Sequence, residues 1–527
     1  MSSDQRVAEL NERFDGTGLD LAALLCDGHP QDDIAFTIIQ PDLTAVDLTY
    51  GALCEASIDA ARQLTALGVG KGDRVATLMG KSVDLVVALM AIWRLGAVHV
   101  PLFTAFAPPA IALRLAGSDA KVVLTDDSQT VKLEPGEHIP ADRPWQVLAP
   151  AQLRSVDGVD FAPVTVSGDD ELIRLFTSGT TGTPKGVPIP VRAIGSIVTY
   201  LEYGLHVTDD DVYWDAADPG WAYGLFYGIV APLAAGRRSL LLQAGFSPQL
   251  TWDVLSKFGV TNFAAAPTVY RSLRSGGVEP PNDLKIRRAT SAGEPLNPEV
   301  VTWAEQTLGL PIHDTYGQTE LGMCVVNGWH PEIAAAVKPG SMGRPMPGWQ
   351  MAVLTNDSDE PAAPGELGRV AVDVPASPGM WFTGYVDAPE KTAERFSADG
   401  RWYYTGDAGS IDDDGYIFFS SRDDDVIIMA GYRIGPFEVE SALLGDSRVA
   451  EAAVIGVPDE LRGEVIEAYV VLLPGGEPSD EVSDELKNRV KTNLAAHAYP
   501  RTIHFVDELP KTPSGKIQRF ILRKRDN

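Results

Sequence analysis

The chain has 527 residues, 45% of them apolar, a formal net charge of −29, and three cysteines, Cys26, Cys54 and Cys324. That length exceeds one ordinary domain, and the apolar share is that of a folded chain rather than a disordered one. The acidic balance argues against nucleic-acid or anionic-membrane binding, and the scattered cysteines offer no metal-ligand spacing, so a reduced, cytoplasmic protein is expected.

Residues 1–47 carry weak signals and read as a helical lead-in, with no secretory signal in the polar start Met1-Ser-Ser-Asp-Gln-Arg6. From Leu48 the pattern alternates: a helix over 50–67, a glycine-rich turn over 68–72 and a strand over 74–79. The most apolar stretch, 83–103, is interrupted by Asp84, Arg94 and His99. A membrane span needs about 20 predominantly apolar residues, so a buried helix over 84–95 and a strand near Val98 are predicted instead. A helix near 110–116 and a strand over 121–125 follow. Alternating units of this kind imply a parallel sheet covered on both faces, in the α/β class.

An apolar run over 172–176 then leads into Thr177-Ser-Gly-Thr-Thr-Gly-Thr-Pro-Lys-Gly186. A loop of hydroxyls and glycines ending in a lysine aims backbone N–H groups, side-chain hydroxyls and one ammonium at a small volume, which suits a polyphosphate. It is not a Walker A loop, because Gly186 follows the lysine and Val187-Pro188 continues extended. Read alone, the same composition also fits a surface linker. This loop is expected to open a second αβ region, with apolar segments over 239–242, 262–266 and 286–289. Ligands bind such folds at the carboxyl ends of strands. Near Met351 the texture changes to short alternating strands over 350–354, 368–374 and 416–419, a small β-rich subdomain. Asp412-Asp-Asp-Gly415 lacks the later ligands of a calcium loop and reads as a hairpin turn. A last α+β unit follows Arg422, with a helix over 436–444, strands over 449–456 and 468–473, and a helix over 480–496.

The hydroxyl–glycine loop resembles the signature of the adenylate-forming superfamily, which includes acyl-CoA synthetases, and the resemblance runs from about Leu48 to Arg525. It implies a large N-terminal domain, residues 1–423, of stacked αβ subdomains with a small β-rich one, and a small mobile α+β domain, residues 424–527. It implies that Thr177, Ser178, Gly179, Thr180, Thr181, Gly182 and Lys185 hold the phosphates of ATP. Asp314-Thr-Tyr-Gly-Gln-Thr-Glu320 resembles the family's second signature. There Thr319 meets the α-phosphate, Glu320 holds Mg2+, Tyr316 stacks on adenine, and Asp314, Thr315 and Gln318 complete the nucleotide set. Gly293, Glu294 and Pro295 resemble the segment whose backbone lines adenine. Asp407 and Arg422 match the pair that reaches the ribose.

Lys516, in Pro510-Lys-Thr-Pro-Ser-Gly-Lys516, matches the family's catalytic lysine, which stabilises charge during adenylation only. In isolation this basic end, with Arg519, Arg523, Lys524 and Arg525, reads as a solvated tail. The resemblance makes Asp424 the hinge of a domain swing that brings Gly431 to the pantetheine of coenzyme A, with Arg433 facing phosphate beforehand.

Gly431-Tyr-Arg-Ile-Gly435 and Trp221-Ala-Tyr-Gly-Leu-Phe226 are most similar to the acetyl- to medium-chain branch. In that branch acetyl-CoA synthetase carries a tryptophan at the position of Gly317 and a valine at that of Ala222. The smaller residues here imply a deeper acyl pocket, lined also by Trp221 and narrowed by Tyr223. Each buried methylene contributes about 0.8 kcal/mol, so a C4 to C8 acid or a compact aromatic acid is expected. Three departures stand out: Pro190, Ser421 in place of a usual glycine, and Met429-Ala430 where two serines are common. The alternatives are a stand-alone adenylation enzyme that loads a carrier protein and an aromatic-acid CoA ligase. A protein acetyltransferase acting on Lys516 is a candidate partner, through loss of charge.

Overall fold

A computed structural model describes residues 1–153, 159–177, 184–429, 432–459, 462–495, 497–512 and 516–525, with the backbone alone at Asp424 and Arg525. Three sheets organise these residues. The first runs Gln146–Leu148, Val122–Thr125, Arg74–Leu78, Val98–Pro101, Glu171–Thr177, Lys185–Pro190. Its strands are parallel until the last pair, which is antiparallel. The helix Val83–Arg94 covers it and is buried on every side from Leu85 onward, as a helix apolar all round must be. The Ser82 hydroxyl caps it by accepting from the Leu85 N–H at 3.1 Å. Of the ionisable groups that break the apolar stretch, Asp84 is exposed, Arg94 donates to both Asp27 oxygens at 2.7 Å, and His99 Nε2 meets the Thr77 hydroxyl at 2.8 Å. Among the described residues no helix is long and apolar enough to cross a membrane.

The second sheet is larger. Its parallel half carries Ser239–Leu242, Tyr213–Asp215, Asn262–Ala265, Arg288–Ala292 and His313–Gln318. It then turns antiparallel through Gly322–Val326 and Ser341–Pro345 into Ile417–Arg422, Trp402–Ile411, Gly368–Asp373 and Met351–Leu354. The β-rich subdomain is therefore continuous with the parallel half rather than detached. The third sheet, in the C-terminal unit, joins Tyr432–Ile434, Ile427–Met429, Gly463–Leu472 and Val449–Asp459, with Thr502–Phe505 beside Gly463–Leu472.

Five expectations need correction. Residues 1–47 are not simply helical: after the helix Ser3–Phe14, the strands Ile34–Ile39 and Ala45–Thr49 form the far edge of the second sheet. The partner of Ile34–Ile39 on the inner side, Ser239–Leu242, lies about two hundred residues away, so local periodicity carries no sign of it. The phosphate-loop strands do not open the second sheet; His99 pairs with Ile173, which places them in the first. The apolar segment expected over 286–289 is the strand Arg288–Ala292, and the strand expected over 416–419 is Ile417–Arg422. The last expected helix ends at Asn493. The Asp412 segment is a turn, closed by the Gly415 N–H on the Asp412 carbonyl at 3.0 Å with Gly415 at φ +81°.

Candidate active site

The antiparallel strands Glu171–Thr177 and Lys185–Pro190 pair Thr177 with Lys185. No helix follows, as the sequence implied. Ser178, Gly179, Thr180, Thr181 and Gly182 lie outside the described residues. Lys185 begins the return strand with its ammonium 4.7 Å from the Tyr385 ring centroid. Burial and the nearby charges of Arg395 and Lys391 hold its pKa below the ordinary lysine value. Tyr385 donates its hydroxyl proton to Glu320 Oε1 at 2.7 Å, and Arg395 Nε–H donates to the Tyr385 oxygen at 3.2 Å. Burial and the Glu320 charge push that hydroxyl well above the usual tyrosine value. Thr319 sits half-buried in the turn between His313–Gln318 and Gly322–Val326, and Glu320, beside it, is buried.

The second cluster centres on Asp407, 3% exposed on Trp402–Ile411. Its Oδ2 accepts from the Tyr316 hydroxyl at 2.5 Å and from Gln318 Nε2 at 2.7 Å; its Oδ1 accepts from Arg422 Nη1 at 2.9 Å. Register makes the last contact: Asp407 and Arg422 face each other across neighbouring strands. A carboxylate offers about four acceptor sites, so capacity remains for a further donor. Tyr316, Gln318, Asp407 and Arg422 are thus brought together around one carboxylate.

Other members of the nucleotide set face inward. Asp314 is buried, with Oδ2 accepting from the Leu296 N–H at 3.4 Å and Oδ1 lacking a partner among the described residues; burial raises its pKa well above the carboxylate range. The Thr315 hydroxyl donates to the Ser291 carbonyl at 2.8 Å. Thr315 ties its strand to Arg288–Ala292 and Asp314 ties it to Leu296, so the two hold both sides of the Gly293-Glu294-Pro295 segment. Glu294 turns its carboxylate to Arg271 at 2.8 Å and to the Thr268 hydroxyl. Gly293 has φ +95°, a conformation that favours glycine.

Trp221 packs between the sheets, its ring 5.4 Å from Phe103 and 5.6 Å from Phe106. The Tyr223 hydroxyl bonds that of Tyr200 at 2.9 Å, and Ala222 is half-buried between them in sequence. Gly317 differs from expectation. A Cβ there would collide with the Gly322 carbonyl on the paired strand, beside a register shift at Tyr316/Gly317. A side chain at 317 would run into the sheet, so exchanging this glycine for tryptophan is not a simple filling of a pocket.

Lys516 is exposed and is not brought to this cluster. Among the described residues its ammonium has no partner, and only its backbone is held, through Thr512, at 2.8 and 3.1 Å. Arg433 is exposed on Tyr432–Ile434, and its charge reaches Asp423. Gly431 lies outside the described residues, as does the side chain of Asp424; the backbone at Asp424 is in a single 3-10 turn, Asp423–Asp425. The tail is not simply solvated, because Arg523 meets Asp425 at 2.6 Å and Arg519 meets Glu440 at 2.7 Å. Tyr385, Arg395 and Asp425 escaped the sequence reading. None sits in a spaced motif, and their partners are 65, 10 and 98 residues away.

The sequence matches the AMP-binding enzyme family over residues 26–386 and the AMP-binding enzyme C-terminal domain over 438–516. It is 38% identical to the acetyl-coenzyme A synthetase of Bacillus subtilis, covering 90% of this chain and 84% of that protein. It is 35% identical to the Mus musculus acyl-coenzyme A synthetase ACSM3, mitochondrial, covering 88% and 81%. Its fold is similar to that of a Brucella canis acyl-CoA synthetase (40% identity, TM-score 0.74, 99% and 97% covered). It is also similar to the anthranilate CoA ligase AuaEII in complex with anthranoyl-AMP (25% identity, TM-score 0.84, 100% and 99% covered). The chain belongs to the AMP-binding enzyme family, the adenylate-forming superfamily. Within it, the chain is an AMP-forming acyl-CoA synthetase, an acid–thiol ligase that uses ATP and coenzyme A.

Proposed function

We propose that this synthetase activates a short- to medium-chain carboxylic acid in two steps on one set of groups. The acid's carboxylate oxygen attacks the α-phosphorus of ATP, and the bond to pyrophosphate breaks, giving acyl-adenylate. The sulfur of coenzyme A then attacks the acyl carbonyl, AMP leaves with the electron pair, and the thiol proton passes to solvent. The observation that supports this most directly is the presence of two anchored carboxylates, Asp407 bonded to Arg422 and Glu320 bonded to Tyr385 within reach of the Lys185 charge.

In this reading Asp407 and Arg422 hold the ribose, Tyr316 covers adenine, and Thr319 with the hydroxyl–glycine loop and Lys185 orients the phosphates. Glu320 fits Mg2+: it is one carboxylate with one oxygen engaged by Tyr385 and no described partner on the other. Mg2+ is commonly held by one or two carboxylates plus substrate phosphates rather than by a full protein cage. When bound, the ion neutralises phosphate charge. We place the domain boundary at 423/424: Arg422 is paired inward to Asp407, Asp425 outward to Arg523, and the backbone between them is left as the pivot. A swing there would carry Lys516 in for adenylation and Gly431 in for thioester formation. The exposed Lys516 ammonium is also open to an acetyltransferase, and homogeneous acetylation would abolish the first step while full activity would refute that control. Cytoplasmic localisation fits the absence of a membrane-crossing helix among the described residues.

An aromatic acid is the second reading, favoured by the likeness to the anthranilate CoA ligase. The test is AMP and thioester formation over acetate to decanoate, benzoate and anthranilate, with and without coenzyme A. CoA-dependent thioester peaking between C4 and C8 supports the main reading. A peak at acetate or at an aromatic acid overturns it, and adenylate formation without transfer to coenzyme A would point to a carrier protein.

A further inference from the structure

Tyr385 stands between two opposite charges. On one side its hydroxyl gives its proton to Glu320 Oε1; on the other it receives the Arg395 Nε–H. The direction of this chain is fixed by chemistry, since a guanidinium only donates and a carboxylate only accepts. The ring itself is held: its backbone N–H donates to the Thr392 hydroxyl at 2.9 Å, Phe382 meets it edge-on at 5.1 Å, and the Lys185 ammonium lies over its face. Arg395 in turn packs on the strand that carries Asp407. Its Nη1 donates to the Tyr404 carbonyl at 3.3 Å, and a Cβ on Gly406 would come within 2.6 Å of that nitrogen.

We propose that Arg395 is a positioning residue which, through the Tyr385 hydroxyl, links the ribose-side strand to Glu320 and fixes the orientation of that carboxylate. A carboxylate anchored at one oxygen cannot rotate freely, so the other oxygen keeps one direction, toward the phosphates and their metal. The phenol also acts as a spacer. Without it, the nearby Arg395 and Lys185 charges would draw Glu320 into a direct ion pair and away from the nucleotide. This inference rests on the assignment of Glu320 to the metal-nucleotide.

The test is calorimetric binding of MgATP and of AMP to the wild type, Tyr385→Phe, Arg395→Ala and Arg395→Lys. AMP lacks the metal-bearing phosphates, so the ratio of the two affinities reports on Glu320 and cancels any general loosening of the site. The ratio is expected to fall about ten-fold in Tyr385→Phe and Arg395→Ala, the size of one charge-assisted hydrogen bond, and to stay near wild type in Arg395→Lys. A ratio within two-fold of wild type in both variants overturns the proposal, and a fall confined to Tyr385→Phe overturns the role of Arg395. Wild-type protein that binds neither nucleotide overturns the Glu320 assignment beneath it.

Discussion

Lys185 and Lys516, the two lysines proposed to meet phosphate, are held in opposite ways. Lys185 starts a strand of a buried sheet, with Tyr385 beneath its ammonium and a pKa lowered by burial and by Arg395. Lys516 is exposed, its backbone held by Thr512, with a free ammonium among the described residues. On the proposed reading the first is preorganised and the second is delivered. A charge that stays in place assists both half-reactions alike, whereas one on a mobile domain can assist the first and then leave, which a two-step ligase with one active site requires.

Substitutions at the two positions should therefore separate. Lys516→Ala is expected to lower thioester synthesis from ATP and acid by about 10²- to 10³-fold, the cost of removing one charge contact made in the transition state, with thermal unfolding unchanged. A shifted unfolding transition would mean that Lys516 is packed rather than delivered. Lys185→Ala should weaken ATP binding by roughly 10- to 100-fold, read by calorimetry, and should weaken AMP binding much less; equal losses would remove it from the β,γ-phosphate site.

The rigid half also carries an electrostatic cost that is measurable. Asp215, 2% exposed on Tyr213–Asp215, has one oxygen on the Ala217 N–H and the other without a described partner, and burial pushes its pKa up to about 7. Between the ordinary carboxylate value and about 7 the folded protein holds a proton that the unfolded chain has released. Wild-type stability therefore falls as pH rises through that window. Asp215→Asn keeps the acceptor and removes the slope. It should gain on the order of 2 kcal/mol over wild type at pH 8 and nothing at pH 4; a pH-independent difference would refute the assignment. In the delivered half the effect should be smallest. Asp425→Asn weakens the contacts to Arg523 and Arg519, and should cost about 1 kcal/mol locally, seen as faster amide exchange in Arg519–Arg525. Unchanged exchange there would detach Asp425 from the domain boundary.

Sequence and structure agree best where one short stretch carries its own instruction. The run over 172–176 is buried on both faces, and Pro436–Leu444 begins and ends where expected. Asp407 and Arg422 could be paired because two motifs with known order flank one hairpin. What local pattern cannot convey is contact at a distance. Ile34–Ile39 becomes a strand only because Ser239–Leu242 offers an edge, and Tyr385 gains meaning only from Glu320. Gly317 teaches the complement: the residue was identified, but the direction of its missing side chain is set by the Gly322 backbone across the ladder.

The most direct test of the delivered-lysine account takes one sample each of wild type and Lys516→Ala and measures the two half-reactions separately. Acyl-adenylate formation should fall about 10²- to 10³-fold, while transfer to coenzyme A from supplied acyl-adenylate should remain within a few-fold of wild type. Equal loss in both steps would contradict the account.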